Sequence, residues 1–575
     1  MNFRLTKGNF LKTGAYIEGD SAVFTFAAEK EDECSIVLLD KSGNTACVID
    51  IPAEYSTGSL YSVRLHGFCG NEYAYYFRIN GKRCIDPYAT RIFGREKWND
   101  KTRSDNDYEI ACGIDSSDFD WKYDSFPEIT RDRMKLYKLH VRGFSMDVSG
   151  NKKHKGTFEA VSDRINYIKK LGFTSILLMP VYEFEEMTIP VKHDIPEYAK
   201  PKYSLKDEQS VHTENDKVNF WGYTSGNYFA VKASYASDAS DASNELRRLV
   251  ERLHKNGMEC IVEMYFPDRT DHNLILDALR YWVMSFHVDG FKLLGDRLPV
   301  TAIVQDALLS RTKILYDGFD MSVVPQNRTY ENLYIDKEEY QFAARMMLNH
   351  INCNMYELLN QQKKQGENVG FINYISSNNG FTLSDLFMYN DRHNEANGEK
   401  NADGPSWNFS NNYGCEGPSR KRFIREIRKL KWKDAMLLLF LAQGVPMIMA
   451  GDEICNSQDG NNNAYCQDNP TGWVNWSNEH SRRENIRFLT RLIKFRDEHP
   501  VISCPKPFKF SDYKAVGYPD LSYHCKNAWI GECDATKLCV GVMYCGDYNE
   551  VNKDYVYVAY NFYSSREKLA LPKLK

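Results

Sequence analysis

The amino-acid sequence predicts an α/β protein in which a (β/α)8 (TIM) barrel is flanked by an N-terminal and a C-terminal β-sandwich. Two observations predict this architecture. At both ends of the chain, short runs alternate apolar with polar residues, as expected of half-buried antiparallel strands. Between them, amphipathic helical stretches alternate with short, wholly apolar strands, which is typical of a parallel sheet covered by helices.

The N-terminal region, residues 1–100, is predicted to be a β-sandwich. Turn signals such as Asn80-Gly81 separate strand-like runs. Strand alternation places Tyr73, Tyr75 and Phe77 on one face and Tyr76 on the other, so one of the two sets belongs to the core. The strand-like runs are AVFTFAA, SIVLLD and EYAYYFRI.

The central region, residues 130–500, is predicted to form the barrel. Helix-then-strand units recur along about 370 residues, and a closed barrel with insertions fits this length better than an open sheet. Residues 505–575 return to strand-like runs and predict a short C-terminal β-sandwich. Examples of the repeated unit are TFEAVSDRINYIKKLG before SILLMPVYEF, ASNELRRLVERLHKNG before ECIVEMYF, and LILDALRYWVMSFH before VDGFKLL.

Composition and charge narrow the classes of partner. The chain has 575 residues and a formal net charge of -5, without the basic tract that nucleic acid or an anionic membrane would require. The N-terminus lacks an apolar signal core, and no run approaches about 18 apolar residues, so a cytoplasmic protein is expected. Its 15 cysteines have no metal-type spacing, which predicts reduced thiols, no metal and no cofactor.

Four stretches of the barrel region carry the most specific pattern. They are VNFWGYTSGNYFAV (218–231), YNDRHNEANGEKNADG (389–404), NNYGCEGP (411–418) and AGDEICNSQDGNNNAYCQDN (450–469). Together they resemble the α-amylase superfamily of glycoside hydrolases, in its isoamylase and bacterial glycogen-debranching (pullulanase-like) branch. The resemblance implies a glycogen-binding-module type of N-terminal sandwich, and it implies further C-terminal strands, so the C-terminal domain is expected to be truncated.

The family's catalytic nucleophile has no counterpart in this sequence. Retaining hydrolysis needs two carboxyl groups about 5 to 5.5 Å apart. The resemblance implies a nucleophilic Asp at the end of an Asp-Gly-Phe-Arg-x-Asp pattern, but here the pattern runs from Asp289 to Leu294, with Lys292 in place of the arginine. Leucine has no lone pair, so no covalent glycosyl-enzyme can form at this position.

The other positions that the resemblance implies are also changed. The general-acid position holds Asp317, which is one methylene shorter than Glu. The transition-state-stabilising His-Asp pair corresponds to Asn378 and Asn379, which bring no negative charge to a cationic transition state. Glu263 and Asp268 lie in the segment that corresponds to the family motif Asp-x-x-x-Asn-His. No catalytic residue is therefore expected to be intact.

A carboxylate at a neighbouring position is one possible replacement for the missing nucleophile. Asp296 lies two residues beyond Leu294 and would share its face on a strand. The alternative is a loop residue that pairs with Arg297 or with solvent, and this is favoured because a retaining carboxylate pair tolerates little displacement.

A set of residues is predicted to bind substrate in the barrel mouth. Tyr223 is favoured as a pocket residue that stacks on glucose, and Trp221 as a packing residue. Asp268 is also expected to form an ion pair with Arg269 or Lys292, as part of a salt-linked strand end that includes Glu263. The predicted substrate-binding residues are Tyr223, Asn227, Asp268, Lys292, Asn378 and Asn379.

Three functions remain open from the sequence. The favoured one is a catalytically inactive relative that binds an α-glucan (glycogen, starch or maltooligosaccharide) or scaffolds a hetero-oligomer with an active debranching enzyme. The second is an active glycoside hydrolase that cleaves α-1,6 or α-1,4 bonds through Asp296 and Asp317. The third is an interaction platform without sugar binding. An open pocket with Tyr223 exposed favours the first over the third, and a pocket filled by Leu294 favours the third.

Overall fold

The computed structural model describes residues 3–68, 72–102, 110–115, 118–148, 154–187, 217–322, 324, 331–531 and 536–574. These residues form two N-terminal antiparallel sheets, a closed barrel of eight parallel strands and a small C-terminal antiparallel sheet. The predicted fold class is confirmed, because the helix-then-strand units build the parallel barrel and the alternating runs build the antiparallel sheets.

The two N-terminal sheets share one core. Their strands are β1 (Arg4–Lys7), β2 (Gly14–Glu18), β3 (Ser21–Ala27), β4 (Cys34–Leu39), β5 (Thr45–Asp50), β6 (Ser56–Thr57), β7 (Leu60–His66), β8 (Ala74–Ile79), β9 (Lys82–Cys84), β10 (Arg91–Phe93) and β11 (Ala111–Gly113). One sheet has the strand order β1-β7-β3-β2, with β6 paired to β7. The other sheet has the order β10-β11-β8-β4-β5, with β9 paired to β8. Phe26 stacks on Phe77 across the interface with ring centroids 4.2 Å apart. Tyr75 and Phe77 belong to this core, whereas Tyr76 packs in a separate cluster on the opposite face.

The barrel closes through parallel pairing of its first and last strands. A hairpin of two short strands, β14 and β15, lies outside the barrel between its second and third strands. The strands are β12 (Leu136–Leu139), β13 (Ser175–Leu178), β14 (Tyr182–Phe184), β15 (Gly226–Val231), β16 (Glu259–Tyr265), β17 (Gly290–Leu294), β18 (Lys313–Tyr316), β19 (Leu333–Asp336), β20 (Gly370–Asn373) and β21 (Val445–Met449).

The helices pack their apolar faces on the outside of the barrel. Capping residues fix both ends of α5 (His272–Phe286). Asp271 accepts hydrogen bonds from the backbone N–H groups of Asn273 and Leu274 at the start of the helix, and His287 adopts the left-handed conformation at its end. The helices are α1 (Val141–Ser145), α2 (Phe158–Asp163), α3 (Ile165–Leu171), α4 (Ala242–Lys255), α5 (His272–Phe286), α6 (Val300–Gln305), α7 (Glu339–Asn349), α8 (Met355–Gln362), α9 (Arg422–Phe440), α10 (Asn478–Ser481) and α11 (Arg483–Glu498).

The barrel interior is built in layers, because alternate residues of each strand point inward. At the amino ends of the strands, Lys313 forms a buried ion pair with Glu259. An apolar layer fills the middle of the barrel, and polar groups return at the carboxyl ends. The apolar layer includes Leu136, Leu177, Ile261, Leu315, Tyr334 and Ile372.

The C-terminal part is a three-stranded antiparallel sheet in the described residues, which is smaller than the predicted sandwich. Its strands are β22 (Leu521–His524), β23 (Cys539–Tyr544) and β24 (Val556–Asn561). The hydroxyl of Tyr544 donates to the carbonyl of Leu441 at 3.3 Å and ties the sheet to the barrel. The described cysteines are free thiols, and Cys69 and Cys533 lie outside the described residues. Among the described helices, none has the length and apolar character needed to cross a membrane.

Candidate functional site

A cavity of about 890 Å³ opens at the carboxyl ends of the barrel strands. Its size is typical of a small-molecule site, and its position is where barrels of this type hold their ligands. Its lining is mixed, with aromatic residues beside charges of both signs. The charged lining residues are Lys138, Lys292, Lys337, Asp268, Asp296, Asp317, Asp336, Glu338 and Glu339.

Strand β17 places Leu294 in this cavity. Because side chains alternate along a strand, Lys292 and Leu294 point into the barrel mouth, while Phe291 and Leu293 pack in the outer core. Leu294 is the last residue of β17 and is only half-buried, so it lines the cavity without filling it. The inward position at the end of β17 therefore carries a side chain with no acid, base or nucleophilic group.

The bottom of the cavity is held by four charged side chains, Lys138, Glu263, Lys292 and Asp336, which we call the floor network. The Nζ of Lys138 lies 2.6 Å from Oε1 of Glu263. The Nζ of Lys292 lies 3.7 Å from the same oxygen and 2.7 Å from Oδ2 of Asp336. The side chains of Lys138 and Glu263 are 2% and 0% exposed, so this pair is buried. Two lysines thus neutralise two carboxylates at the centre of the site.

Two predicted substrate-binding residues contact the floor network. The hydroxyl of Tyr223 donates to Oε2 of Glu263 at 2.5 Å, and Oδ1 of Asn378 accepts from Nζ of Lys138 at 2.7 Å. Tyr223 still lines the cavity and keeps part of its surface exposed. Trp221 is nearly buried and packs against Tyr223, and it also lines the cavity.

The two lysines of the floor network have opposite pKa shifts. Burial lowers the pKa of Lys138 to about 8, and its proximity to Glu263 only partly offsets this effect. Burial would also lower the pKa of Lys292, but Asp336 and Glu263 outweigh it and raise the pKa above the ordinary value. Lys292 is therefore firmly cationic at neutral pH, whereas Lys138 is the member of the network that releases its proton first as the pH rises.

The structure places Asn227 apart from the other predicted substrate-binding residues. Asn227 lies on β15, outside the barrel, and is not among the residues that line the cavity. Its Oδ1 accepts a hydrogen bond from Nη1 of Arg95 at 3.4 Å. The residue links the hairpin to the segment after the N-terminal sheets, and a resemblance between motifs does not reveal this contact.

The predicted ion pair of Asp268 needs correction, whereas Asp296 faces solvent as one of its two predicted alternatives. Asp268 lines the cavity and is exposed, but its ionic neighbour is Arg297 at 3.9 Å rather than Arg269 or Lys292. The ammonium group of Lys292 contacts Asp336 and Glu263 instead. Arg297 therefore faces Asp268, and Asp296 stays exposed at the rim of the cavity.

The remaining predicted positions line the cavity. Asp317 and Asn379 are exposed at its rim. Burial raises the pKa of Tyr316, and both Asp317 and Asp296 raise it further, so the two carboxylates lie near the same phenol. In the part of the chain that the structure describes, no group of His, Cys, Asp and Glu side chains is arranged to hold a metal ion.

Sequence reasoning missed Lys138 and Asp336. Lys138 faces inward on the otherwise apolar strand β12, beyond Leu136, and Asp336 ends β19. A charged residue inside a buried strand is a signal in itself, because burying an unpaired charge is costly. The signal does not identify the partners, since those lie on strands across the barrel.

Comparisons with known proteins find a matching family model and similar proteins. Residues 148–273 match the family model described as "Alpha amylase, catalytic domain". Isoamylase 1 of Arabidopsis thaliana is 28% identical over 76% of this chain, and the match spans 66% of the plant protein, so the chain covers just under two thirds of that relative's length. The glycogen debranching enzyme of Enterobacter sp. (strain 638) is 27% identical over 87% of this chain and 86% of its own.

Solved structures share the fold. A pullulanase from Bacillus acidopullulyticus superimposes with a TM-score of 0.70 at 17% identity, covering 98% of this chain and 70% of that chain. A pullulanase from Paenibacillus barengoltzii, in complex with maltohexaose and α-cyclodextrin, gives a TM-score of 0.69 at 18% identity, covering 98% and 90%. At these identities the likeness concerns the fold alone.

Proposed function

The chain belongs to the α-amylase family, with isoamylases, glycogen debranching enzymes and pullulanases as homologues, and from this premise we propose that it binds an α-glucan without hydrolysing it. The observation that carries the proposal is Leu294. This residue occupies the inward position at the end of β17, in an open cavity whose central charges bind one another.

The chemistry of the cavity argues against retaining hydrolysis. Leu294 cannot attack an anomeric carbon, and Glu263 is fully buried between Lys138 and Lys292. Asp336 is bound by Lys292 at 2.7 Å. A carboxylate that is neutralised in this way cannot approach the substrate without breaking a buried ion pair.

Two features of the cavity support sugar binding: its free volume and an exposed aromatic surface. A cavity of about 890 Å³ is large enough for glucosyl units, and Leu294 does not fill it. Tyr223 keeps an exposed aromatic surface at the side of the cavity. The relatives named isoamylase and glycogen debranching enzyme support an α-glucan as the ligand, and scaffolding of an active debranching enzyme is a second role consistent with the same proposal.

An active hydrolase is the competing candidate, and one observation favours it. Asp296 and Asp317 both line the cavity near Tyr316. Both are exposed, however, whereas retaining hydrolysis needs two carboxyl groups held in fixed positions about 5 to 5.5 Å apart. The inactive candidate therefore fits the site better.

Equilibrium binding tests the first half of the proposal. We expect isothermal titration calorimetry to detect binding of maltohexaose, and no binding of cellohexaose, which has the same composition but β-linkages. The reason is that an aromatic-lined cavity recognises the shape of the chain as well as its hydroxyl groups. Absence of maltohexaose binding would remove the α-glucan from the proposal and leave the interaction platform.

A further inference from the structure

We infer that a cleft between α9 and α11, on the outside of the barrel, binds a phosphate group, either as the free ion or as the monoester of a sugar. Four cationic side chains line this cleft, Arg425, Arg428, Lys429 and Arg482, and we call it the cationic cleft. None of its lining residues lines the cavity at the barrel mouth, so the inference does not depend on the function proposed for that cavity.

The cationic cleft is small and has an apolar inner surface. Its volume is about 210 Å³, which is below the range of about 300 to 1,000 Å³ that is typical of small-molecule pockets. The buried side chains of Phe387 and Trp432 line it, and Ser384, Ser419 and Asn485 add polar groups. An apolar, low-dielectric surface strengthens the attraction between nearby cations and an anion. The size of the cleft suits a phosphate group better than a sugar chain.

The lining carries positive charge that its own residues do not neutralise. Among the described residues that line the cleft, there is no Asp or Glu. Arg425 and Arg482 are both exposed, and neither forms a salt bridge with another described residue. A guanidinium group binds phosphate oxygens through paired N–H donors. The cleft therefore offers two guanidinium groups that the described carboxylates leave available.

Arg428 is held in place by neutral acceptors. Its Nη1 donates to the carbonyl of Gly417 at 2.7 Å, and its Nη2 donates to the carbonyls of Asn412, at 2.7 Å, and Cys415. Its Nε is buried and has no hydrogen-bond partner among the described residues. Carbonyl oxygens satisfy these donors without cancelling the charge of a side chain that is always protonated. Arg428 therefore contributes a fixed positive charge to the cleft.

Two carboxylates adjoin the cations without lining the cleft. Glu484 contacts Nζ of Lys429 at 2.7 Å and Nζ of Lys433 at 3.7 Å, and its side chain is 63% exposed. A pair this exposed contributes little stability and leaves Lys429 able to turn towards a ligand. Glu416 accepts a hydrogen bond from Nδ2 of Asn412 at 2.7 Å. Neither carboxylate takes the place of an anion inside the cleft.

The amino end of α9 lacks the negative groups that usually stabilise this end of a helix. Acidic side chains interact favourably with the helix dipole there. α9 instead has no acidic residue in its first turn and no side-chain cap, and Lys421, Arg422 and Arg425 are exposed basic residues. A phosphate group bound beside Arg425 would bring negative charge to this end of the helix. The pattern supports an anion, although the side chains of the cleft carry the inference.

Arg491 provides a matched control on the same surface. It lies on α11 and is exposed, as is Arg482 just before that helix, but Arg491 does not line the cleft. Replacing either arginine with glutamine removes one positive charge and keeps a polar side chain. Equal effects of the two changes would indicate general attraction to a basic surface, whereas unequal effects would be specific to the cleft.

Isothermal titration calorimetry with the full-length protein at constant ionic strength tests the inference, with inorganic phosphate and glucose 6-phosphate as the two probes. We expect Arg425→Gln and Arg482→Gln each to weaken phosphate binding about tenfold, because each removes charged hydrogen bonds. Arg425→Lys should keep part of the affinity, and Arg491→Gln should bind like the wild type. Tighter binding of glucose 6-phosphate would assign the cleft to a sugar ester, and tighter binding of inorganic phosphate would assign it to the free ion.

Three outcomes would overturn the inference. The first is that neither probe binds the wild-type protein, and the second is that Arg482→Gln and Arg491→Gln weaken binding equally. The third is unchanged binding in the double variant Arg425→Gln, Arg482→Gln, which would place the phosphate elsewhere. Thermal unfolding without phosphate checks that each variant is folded. Maltohexaose binding is measured separately, so failure of this inference and failure of the proposed function are distinguishable.

Discussion

Glu263→Gln is expected to lower the free energy of unfolding by about 3 to 5 kcal/mol, because it removes the anion that separates the buried Lys138 from Lys292. Lys138 would keep Asn378 as a neutral acceptor, but Glu263 is the only carboxylate within 4 Å of its Nζ in the described part of the chain. Glutamine preserves the shape of the side chain, so the change reports on charge rather than on packing. Urea unfolding monitored by intrinsic fluorescence measures the difference.

Asp268→Asn is the matched control for this measurement. Asp268 follows the same strand, β16, but is exposed and lies 3.9 Å from Arg297. Loss of such a surface contact should change stability by less than about 1 kcal/mol. Adding Lys138→Met to Glu263→Gln should recover part of the loss, since it removes the cation left without its partner. If Glu263→Gln and Asp268→Asn lowered the free energy of unfolding equally, the result would contradict a buried floor network.

Lys232→Met is expected to have an effect at least as large, about 3 to 5 kcal/mol, because it removes the cation that contacts two buried carboxylates. The Nζ of Lys232 lies 2.8 Å from Oε1 of Glu183 and 2.7 Å from Oε2 of Glu186, and all three side chains are 0% exposed. It also donates to the carbonyl of Phe184 at 2.7 Å. Urea unfolding again gives the free energy of unfolding.

Lys232, Glu183 and Glu186 form a buried triad, and residues of the same hairpin region hold the segment that carries Tyr223. The backbone N–H of Asn219 donates to the carbonyl of Glu186 at 2.6 Å, and the hydroxyl of Tyr182 donates to the carbonyl of Gly222 at 3.1 Å. Lys97→Met is the control, since Lys97 is 70% exposed and makes a surface pair with Asp100 at 3.2 Å. If Lys232→Met lowered the free energy of unfolding no more than Lys97→Met does, the triad would not stabilise this region.

The local pattern of the sequence accounts for much of the architecture. Alternation along β17 predicts that Lys292 and Leu294 share a face, and both line the cavity. The periodic helix-then-strand units likewise predict the parallel barrel, because each unit buries one helix face against one strand. These features depend on neighbours within one strand or one helix, which a sequence displays directly.

The partners within the site depend on contacts across the barrel, and the sequence does not display these. Lys138 and Glu263 are 125 positions apart in the chain, yet their charged atoms lie 2.6 Å from each other. Asn227 was predicted from its motif to bind substrate, but β15 pairs with β14 outside the barrel and turns it towards Arg95. Resemblance to a family identifies positions, whereas the ion pairs depend on which side chains of different strands meet in the barrel.

Release of reducing ends from glycogen, with the protein in excess over the chain ends, tests the central claim most directly. The account predicts no release above the protein-free control, while the same protein sediments with the glycogen. Release by the wild type that disappears in Asp317→Asn or Asp296→Asn, but persists in Asp268→Asn, would contradict it and assign hydrolysis to the displaced carboxylates.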